Sequence, residues 1–136
     1  MGDIMIYVDK LDQNHFEEWY LNHLDNESQD LVRQAIKNQL LVRGRNLIDT
    51  LWLKSVYPDL YQLRIKKSRK PHKIKILLRI YLCFDSDNSI VLLSGYNKGI
   101  DTSRQVQSYE IERARGLLSD WREGNGRIER AHSIFS

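Results

Sequence analysis

The sequence predicts an α+β sandwich, in which a strand and two helices precede an antiparallel meander of about three strands and a last helix. Three observations predict it. Apolar residues recur at helical spacing in the first third, alternate with a period of two in the middle, and return to helical spacing near the end. The 136 residues suit a single domain with one modest core. We therefore expect helices on one face of a curved sheet, with the other face partly open.

The chain begins with a short strand and a capped helix. The stretch Ile4–Val8 is apolar and rich in β-branched residues, which is typical of a strand. Asn14 and, three residues later, Glu17 resemble a capping box. Apolar residues then follow at helical spacing, and we expect them to face the core: Phe16, Trp19, Tyr20 and Leu24.

A second helix is expected from about Glu27 to Arg43, with Gly44 as its stop. Leu31, Ala35 and Leu40 would be among its inward positions. The segment 46–56 fits either a short helix or an irregular connection.

From Leu60 the period changes to two, which predicts strands. Leu63 and Ile65 fall on one face and Arg64 and Lys66 on the other. A basic loop (68–72) separates this strand from a longer one with two alternating rows. One row is Ile74, Ile76, Leu78, Ile80, Leu82 and Phe84, and the other is Lys75, Leu77, Arg79, Tyr81 and Cys83. After a DSDNS turn, IVLLSGY is apolar on both faces in its first half, which favours a central strand.

The last helix is expected from about Arg104 to Trp121, with Ala114, Leu117 and Leu118 in its apolar stripe. The glycines at 124 and 126 end it. We expect one domain over residues 1–123 and a polar tail over residues 124–136.

Composition excludes several classes of protein. Hydrophobic residues make up 41% and charged residues 29%, as in folded soluble domains. No apolar run approaches the ~20 residues of a membrane span, and MGDIMIYVDK lacks the pattern of a signal peptide. The single cysteine, Cys83, excludes an internal disulfide and is expected as a buried, inert thiol. These features predict a cytoplasmic protein that does not engage membranes.

No metal or cofactor is expected. The histidines at 15, 23, 72 and 132 lack ligand spacing with one another or with the cysteine. The sequence also has no phosphate-binding glycine loop and no nucleophile elbow.

The charge of the chain is distributed unevenly. Residues 1–30 hold eight carboxylates and one cation, whereas residues 61–79 hold eight cations and no carboxylate. Such asymmetry favours a basic face that binds a polyanion. Alternation places several of these cations, together with Tyr81, on one face of the sheet. That set of side chains can bind RNA or an acidic protein. It can also cleave RNA without a metal, because arginines stabilise the extra charge of the phosphorane transition state.

Three segments in order carry a resemblance to a known family. LYQLRI, RIYLCFDSDNSIVLLSGYNKG and YEIERARGLLSDW resemble the core of the HigB-like, phage-associated toxins of the RelE/ParE superfamily. Members of that group typically read LxELR, a strand similar to YRVLYFF, an apolar strand ending in HGFxKK, and a helix similar to EIERAxxRLxDY. The resemblance covers about Leu53–Trp121 and implies a RelE-like fold.

The resemblance also implies site residues. Arg64 and Arg79 match arginines that would bind phosphate and stabilise the transition state, and Tyr96 and Lys98 match positions for substrate contact and proton transfer. Further RNA-binding candidates are Lys66, Lys67, Arg69, Lys70, Lys73, Lys75 and Tyr81. Ser94 and Gly99 depart from the family, which often has histidine and lysine there. Glu110 and Arg113 match the last helix and would be structural. In the competing interpretation, Arg64 pairs with Glu110 or Glu112, and Arg79 forms a structural ion pair.

The function implied is that of a toxin in a type II toxin–antitoxin system, a ribosome-dependent, metal-independent mRNA endoribonuclease that inhibits translation. Its partners would be the ribosome, mRNA and an antitoxin of the helix-turn-helix type. Two alternatives remain open. One is a non-enzymatic gyrase inhibitor similar to the ParE branch, and the other is a degenerate member that only binds RNA or an antitoxin.

Overall fold

The computed structural model describes residues 3–69, 74–99 and 103–131. Within them, six strands form one mixed sheet in the order β2-β3-β4-β5-β1-β6. The strands are β1 (Ile4–Val8), β2 (Leu53–Tyr57), β3 (Leu60–Arg69), β4 (Ile74–Phe84), β5 (Ile90–Asn97) and β6 (Arg127–Arg130). β1 runs parallel to β5, and the other neighbouring strands are antiparallel. The general α+β class and the antiparallel meander are as the sequence predicts.

The helices are α1 (His15–Asn22), α2 (Asn26–Ala35), α3 (Leu41–Arg43) and α4 (Arg104–Arg122). A π-helical segment (Ile36–Leu40) joins α2 to α3, and a 3-10 turn (Gly44–Leu47) follows. No helix in these three described stretches is long and apolar enough to cross a membrane.

The predicted cap of α1 is confirmed. The side-chain oxygen of Asn14 accepts the N–H of Glu17 at 2.9 Å, and the Asn14 amide donates to the Glu17 carboxylate at 2.9 Å. This exchange satisfies one of the free N–H groups at the start of the helix. It also fixes where α1 leaves the loop after β1, which places Trp19 against the end of β5.

α1 and α2 pack on one face of the sheet, which we name the α1–α2 face. Leu63, Leu78 and Ile80 are completely buried there beneath Phe16 and Val32. The close approach of α1 to β5 depends on Gly95, because a Cβ at that position would overlap the ring of Trp19.

α4 packs on the opposite face, which we name the α4 face. Its residues Ala114, Leu117 and Leu118 form a second buried cluster with apolar side chains of β4 and β5, among them Cys83 and Val91. The expectation that all helices cover one face is therefore wrong. The physical reason is that β5 is apolar on both faces, and the second apolar row also has to be covered.

Two strands are not indicated by the sequence pattern. β2 pairs antiparallel with β3, so the meander has four strands, and segment 46–56 supplies a strand rather than only a helix or loop. β6 pairs antiparallel with β1. Residues 127–130 of the polar tail that the sequence predicts therefore form an edge strand of the sheet.

Candidate functional site: arginines buried beneath the last helix

The register of the meander places Arg64, Arg79 and Tyr96 side by side on the α4 face. Arg64 lies opposite Arg79 across β3 and β4, and Arg79 lies opposite Tyr96 across β4 and β5. Neighbouring strands are ~4.8 Å apart, so the two guanidinium groups are held close to each other. Like charges directly opposite each other destabilise a sheet, so stability alone does not account for this arrangement.

Arg79 is a buried cation. Its side chain is only 4% exposed, its Nε has no hydrogen-bond partner, and its Nη1 donates weakly to the Leu78 carbonyl at 3.4 Å. Within the described part of the chain, no carboxylate forms a salt bridge with it. Burial lowers the pKa of Arg79, the charge of Arg64 lowers it further, and Tyr96 and Tyr81 oppose the shift. A buried cation costs several kcal/mol, and an incoming anion would offset that cost.

Arg64 lacks the partners that the competing interpretation assigned to it. Glu110 pairs with Arg113 and Glu112 pairs with Arg115, and the Nε of Arg64 is buried without a hydrogen bond. Neither Arg64 nor Arg79 therefore forms a salt bridge with a carboxylate of the described residues.

Lys98 completes a group of cations at the end of β5. Its backbone N–H donates to the Leu77 carbonyl at 2.8 Å, which holds the residue against β4. Burial lowers the pKa of Lys98, and the charges of Arg79, Arg64 and Lys66 lower it further. We name Arg64, Lys66, Arg79 and Lys98 the cation group. A lysine with a lowered pKa exchanges protons more readily near neutrality.

Tyr81 and Tyr96 are both buried on the α4 face. Tyr81 is fully buried, and its hydroxyl donates to Oε1 of Gln62 at 2.9 Å. Its ring lies parallel to that of Tyr96, with the centroids 6.2 Å apart. Burial raises the pKa of Tyr81. Tyr81, which the sequence predicts as an RNA contact, is packed beneath Tyr96 and the buried residues of α4. Tyr96 is 7% exposed.

The predicted RNA-binding cations separate by face. Lys66 and Lys75 are exposed and share the α4 face with Arg64. Lys67 lies on the α1–α2 face and forms an ion pair with Glu27 at 3.2 Å. The backbone of Arg69 ends β3. The Arg69 side chain, together with Lys70 and Lys73, lies outside the described residues.

The two positions at which the sequence departs from the family pattern, Ser94 and Gly99, are both closely packed against β4. Ser94 lies opposite Tyr81, is fully buried, and belongs to the packed part of the α4 face. The N–H of Gly99 donates to the Leu77 carbonyl at 3.3 Å, and a Cβ at Gly99 would lie 3.1 Å from the Lys75 carbonyl oxygen. A lysine side chain at 99 would therefore press on β4.

The thiol of Cys83 is fully buried, and burial raises its pKa to about 12. It carries no reactive thiolate near neutral pH.

A cleft of ≈ 350 Å³ lies between α1 and α4, and Tyr96 and Asn97 form part of its wall. Arg113 Nη2 donates to Nδ1 of His15 at 2.8 Å, so the other imidazole nitrogen, Nε2, donates to the Asp9 carboxylate at 2.8 Å. Arg113 also pairs with Glu110 at 3.4 Å. The sequence does not predict this cleft, because its walls come from positions far apart in the chain. The nearest sequence signal is Asn97, which lies inside the segment YNK that resembles the family.

Comparison of the chain with protein-family models, with curated proteins and with solved structures found no match. The RelE/ParE resemblance thus rests on the three ordered sequence segments alone.

Proposed function

We propose that this protein is the toxin of a toxin–antitoxin pair, a HigB-like member of the RelE/ParE superfamily that cleaves mRNA on the ribosome without a metal. One observation carries the proposal: Arg64 and Arg79 lie directly opposite each other, and neither has a carboxylate partner among residues 3–69, 74–99 and 103–131. A phosphodiester is the anion that such a pair suits, since guanidinium groups match phosphate geometry.

The reaction is a transesterification within the RNA. The ribose 2′-oxygen attacks the adjacent phosphorus and loses its proton to a base, while the bond from phosphorus to the 5′-oxygen breaks and that oxygen takes up a proton. The products are a 2′,3′-cyclic phosphate and a 5′-hydroxyl, so no water is consumed. Arg64 and Arg79 would stabilise the added charge of the phosphorane more than that of the ground state. Lys98, or a lysine of the 66–75 segment, would handle the protons.

The ribosome would supply what the side chains lack. In-line attack needs the 2′-oxygen, the phosphorus and the leaving oxygen aligned, and alignment contributes a large share of such a barrier. Messenger RNA held in the decoding site would provide that geometry. A helix-turn-helix antitoxin would neutralise the protein by covering the cation group or by blocking entry to the ribosome.

A second candidate function is RNA binding without cleavage. The burial of Arg79 and Tyr96 beneath α4 favours it, because groups that act on a substrate have to reach it. In this case Arg64 and the exposed lysines would bind phosphates, and no bond would break.

The test is mRNA cleavage in a reconstituted translation mixture, with and without ribosomes. We expect ribosome-dependent cuts from the wild type. Arg64→Ala should lower the cleavage rate by about 10²–10³-fold, since removing one charge-stabilising donor has that effect in other enzymes. Lys98→Gln should lower it by about 10²-fold.

Arg43→Ala is the matched control, because Arg43 is an exposed arginine in α3; its rate should equal that of the wild type. Ribosome binding without cuts from the folded wild type would reject the nuclease and leave the binding function. Cuts that persist in Arg64→Ala would reject the assignment of the site.

A further inference from the structure

The cleft and the cation group are neighbours with different electrostatic character. Glu18 and Glu110 line the cleft, and its one arginine, Arg113, is already bound to Glu110 and His15. Carboxylates repel a phosphate, whereas Arg64 and Arg79 attract it. When a nucleotide binds here, its phosphate therefore belongs on the arginines and its uncharged part belongs in the cleft.

The cleft has the size and the walls of a base-binding site. Its volume of ≈ 350 Å³ lies at the lower end of small-ligand pockets, which span roughly 300–1,000 Å³. Trp19 and Tyr96 supply aromatic surface, and Asn97 and Glu110 supply hydrogen-bonding groups. Unpaired RNA bases are recognised by this combination of aromatic contact and hydrogen bonds to the base edge.

The cleft and Arg79 are adjacent in the sheet. Tyr96 borders the cleft and lies directly opposite Arg79 in the sheet. One strand spacing, ~4.8 Å, therefore separates the backbone that carries the phosphate-binding arginine from the backbone that borders the cleft.

The polar groups of the cleft match guanine better than uracil. The Oδ1 of Asn97 accepts the N–H of Gly99 at 2.9 Å, which leaves the amide NH₂ as a donor. The Glu110 carboxylate is an acceptor. Guanine presents an acceptor, O6, beside two donors, N1–H and N2–H, whereas uracil presents two carbonyls on either side of a single N–H. A carboxylate therefore favours guanine and disfavours uracil.

We propose that this cleft is a base-selective subsite, in which Glu110 and Asn97 bind the Watson–Crick edge of a guanine whose phosphate lies on Arg64 and Arg79. The proposal rests on the proposed function for the position of the phosphate. It adds the residues that determine sequence preference.

The experiment is calorimetric titration of the full chain with 3′-GMP, 3′-UMP and inorganic phosphate. The wild type should bind 3′-GMP about tenfold more tightly than 3′-UMP, the discrimination expected of one good bidentate contact. Glu110→Gln should reduce that ratio to about twofold or less and should not weaken the binding of phosphate. Arg64→Ala should weaken all three ligands.

Glu112→Gln is the matched control, since Glu112 is an exposed carboxylate on the same helix that pairs with Arg115 outside the cleft. It should keep the wild-type ratio. Asn97→Asp is the second variant, because it retains the acceptor for Gly99 and removes the donor to the base. Circular dichroism checks that each variant is folded.

Equal binding of 3′-GMP and 3′-UMP by the wild type would overturn the subsite. A guanine preference that survives in both Glu110→Gln and Asn97→Asp, with each variant folded, would overturn it as well. The proposed nuclease is tested separately by the cleavage assay. Cleavage without base preference removes only the subsite, and base preference without cleavage removes only the nuclease.

Discussion

The two faces of the sheet bury different chemistry. On the α1–α2 face, the inward side chains of β3, β4 and β5 are apolar. On the α4 face, the same three strands bury Gln62, Arg79 and Ser94 among aromatic and aliphatic neighbours. Leu78 and Arg79 are adjacent in β4, are both buried, and point to opposite faces.

This difference shows what each face contributes. An apolar face gains stability in proportion to the area it removes from water. A face that buries an arginine without a counter-ion loses some of that gain. A cation kept there at such a cost is consistent with the anion-binding role that we propose for this face, whereas the α1–α2 face is an apolar core.

The largest expected effect tests this contrast directly. Leu78→Ala should lower the free energy of unfolding by about 3 kcal/mol, because it leaves a cavity in a fully buried apolar core. Arg79→Met should leave it unchanged or raise it by about 1 kcal/mol, since an unpaired buried charge is removed. Urea denaturation measures both. If Arg79→Met destabilised the protein as much as Leu78→Ala, Arg79 would be a structural residue and the contrast would fail.

A smaller loss of stability is expected from a substitution in the contact that joins the helices of the two faces. The Asp9–His15–Arg113 chain connects α1 to α4. Burial raises the pKa of Asp9, but hydrogen bonds from the N–H of Gln13, from His15 and from the N–H of Leu11 outweigh it, so the net pKa is lowered. Asp9→Asn should lower the free energy of unfolding by about 2 kcal/mol at pH 7, the worth of hydrogen bonds to a charged group.

The pH dependence of that effect has a definite sign. A carboxyl with a lowered folded pKa stabilises the protein above its unfolded pKa of about 3.9 and loses that contribution as the pH falls through the folded pKa. The wild type should therefore lose more stability than Asp9→Asn between about pH 4 and pH 2. If the wild type and Asp9→Asn lost stability equally over this pH range, the ionised Asp9 carboxylate would not stabilise the folded protein as described.

The smallest effect compares neighbouring lysines on opposite faces. Removing both Lys66 and Lys75 from the α4 face should reduce the slope of log affinity against log salt for single-stranded RNA by about 1.4, which is ~0.7 for each phosphate that the variant no longer neutralises. Lys67→Gln should leave the slope unchanged, because Lys67 lies on the α1–α2 face beside Glu27. Equal changes in both variants would mean that RNA does not distinguish the faces.

The parts of the fold that the sequence predicts are those with a strong local signal. The strand Ile4–Val8 and the Asn14 cap follow from nearest neighbours in the chain, and the alternation in β3 and β4 places Arg64 and Arg79 on the same face. β6 has one partly buried apolar residue, Ile128, and takes its extended form from pairing with β1. No local pattern indicates such a strand.

The candidate site is only half predictable for a similar reason. Alternation tells which face Arg79 occupies, but not that α4 covers that face. Burial of Arg79 and Tyr81 is a property of packing between distant segments. The cleft depends on the meeting of His15, Asn97 and Glu110, which no spacing in the sequence relates.

The position of β1 also sets the order of assembly. β3, β4 and β5 are consecutive in the chain, so the row of Arg64, Arg79 and Tyr96 forms from local contacts. β1 pairs with β5 and with β6, which both come much later in the chain. Pairings between distant segments form slowly. At synthesis rates of about 5–20 residues/s, β5 and β6 are synthesised on the order of ten seconds after β1. The edges of β1 have no partner strand until then. We therefore expect the meander to fold first, β1 to join it next, and β6 to close the sheet last.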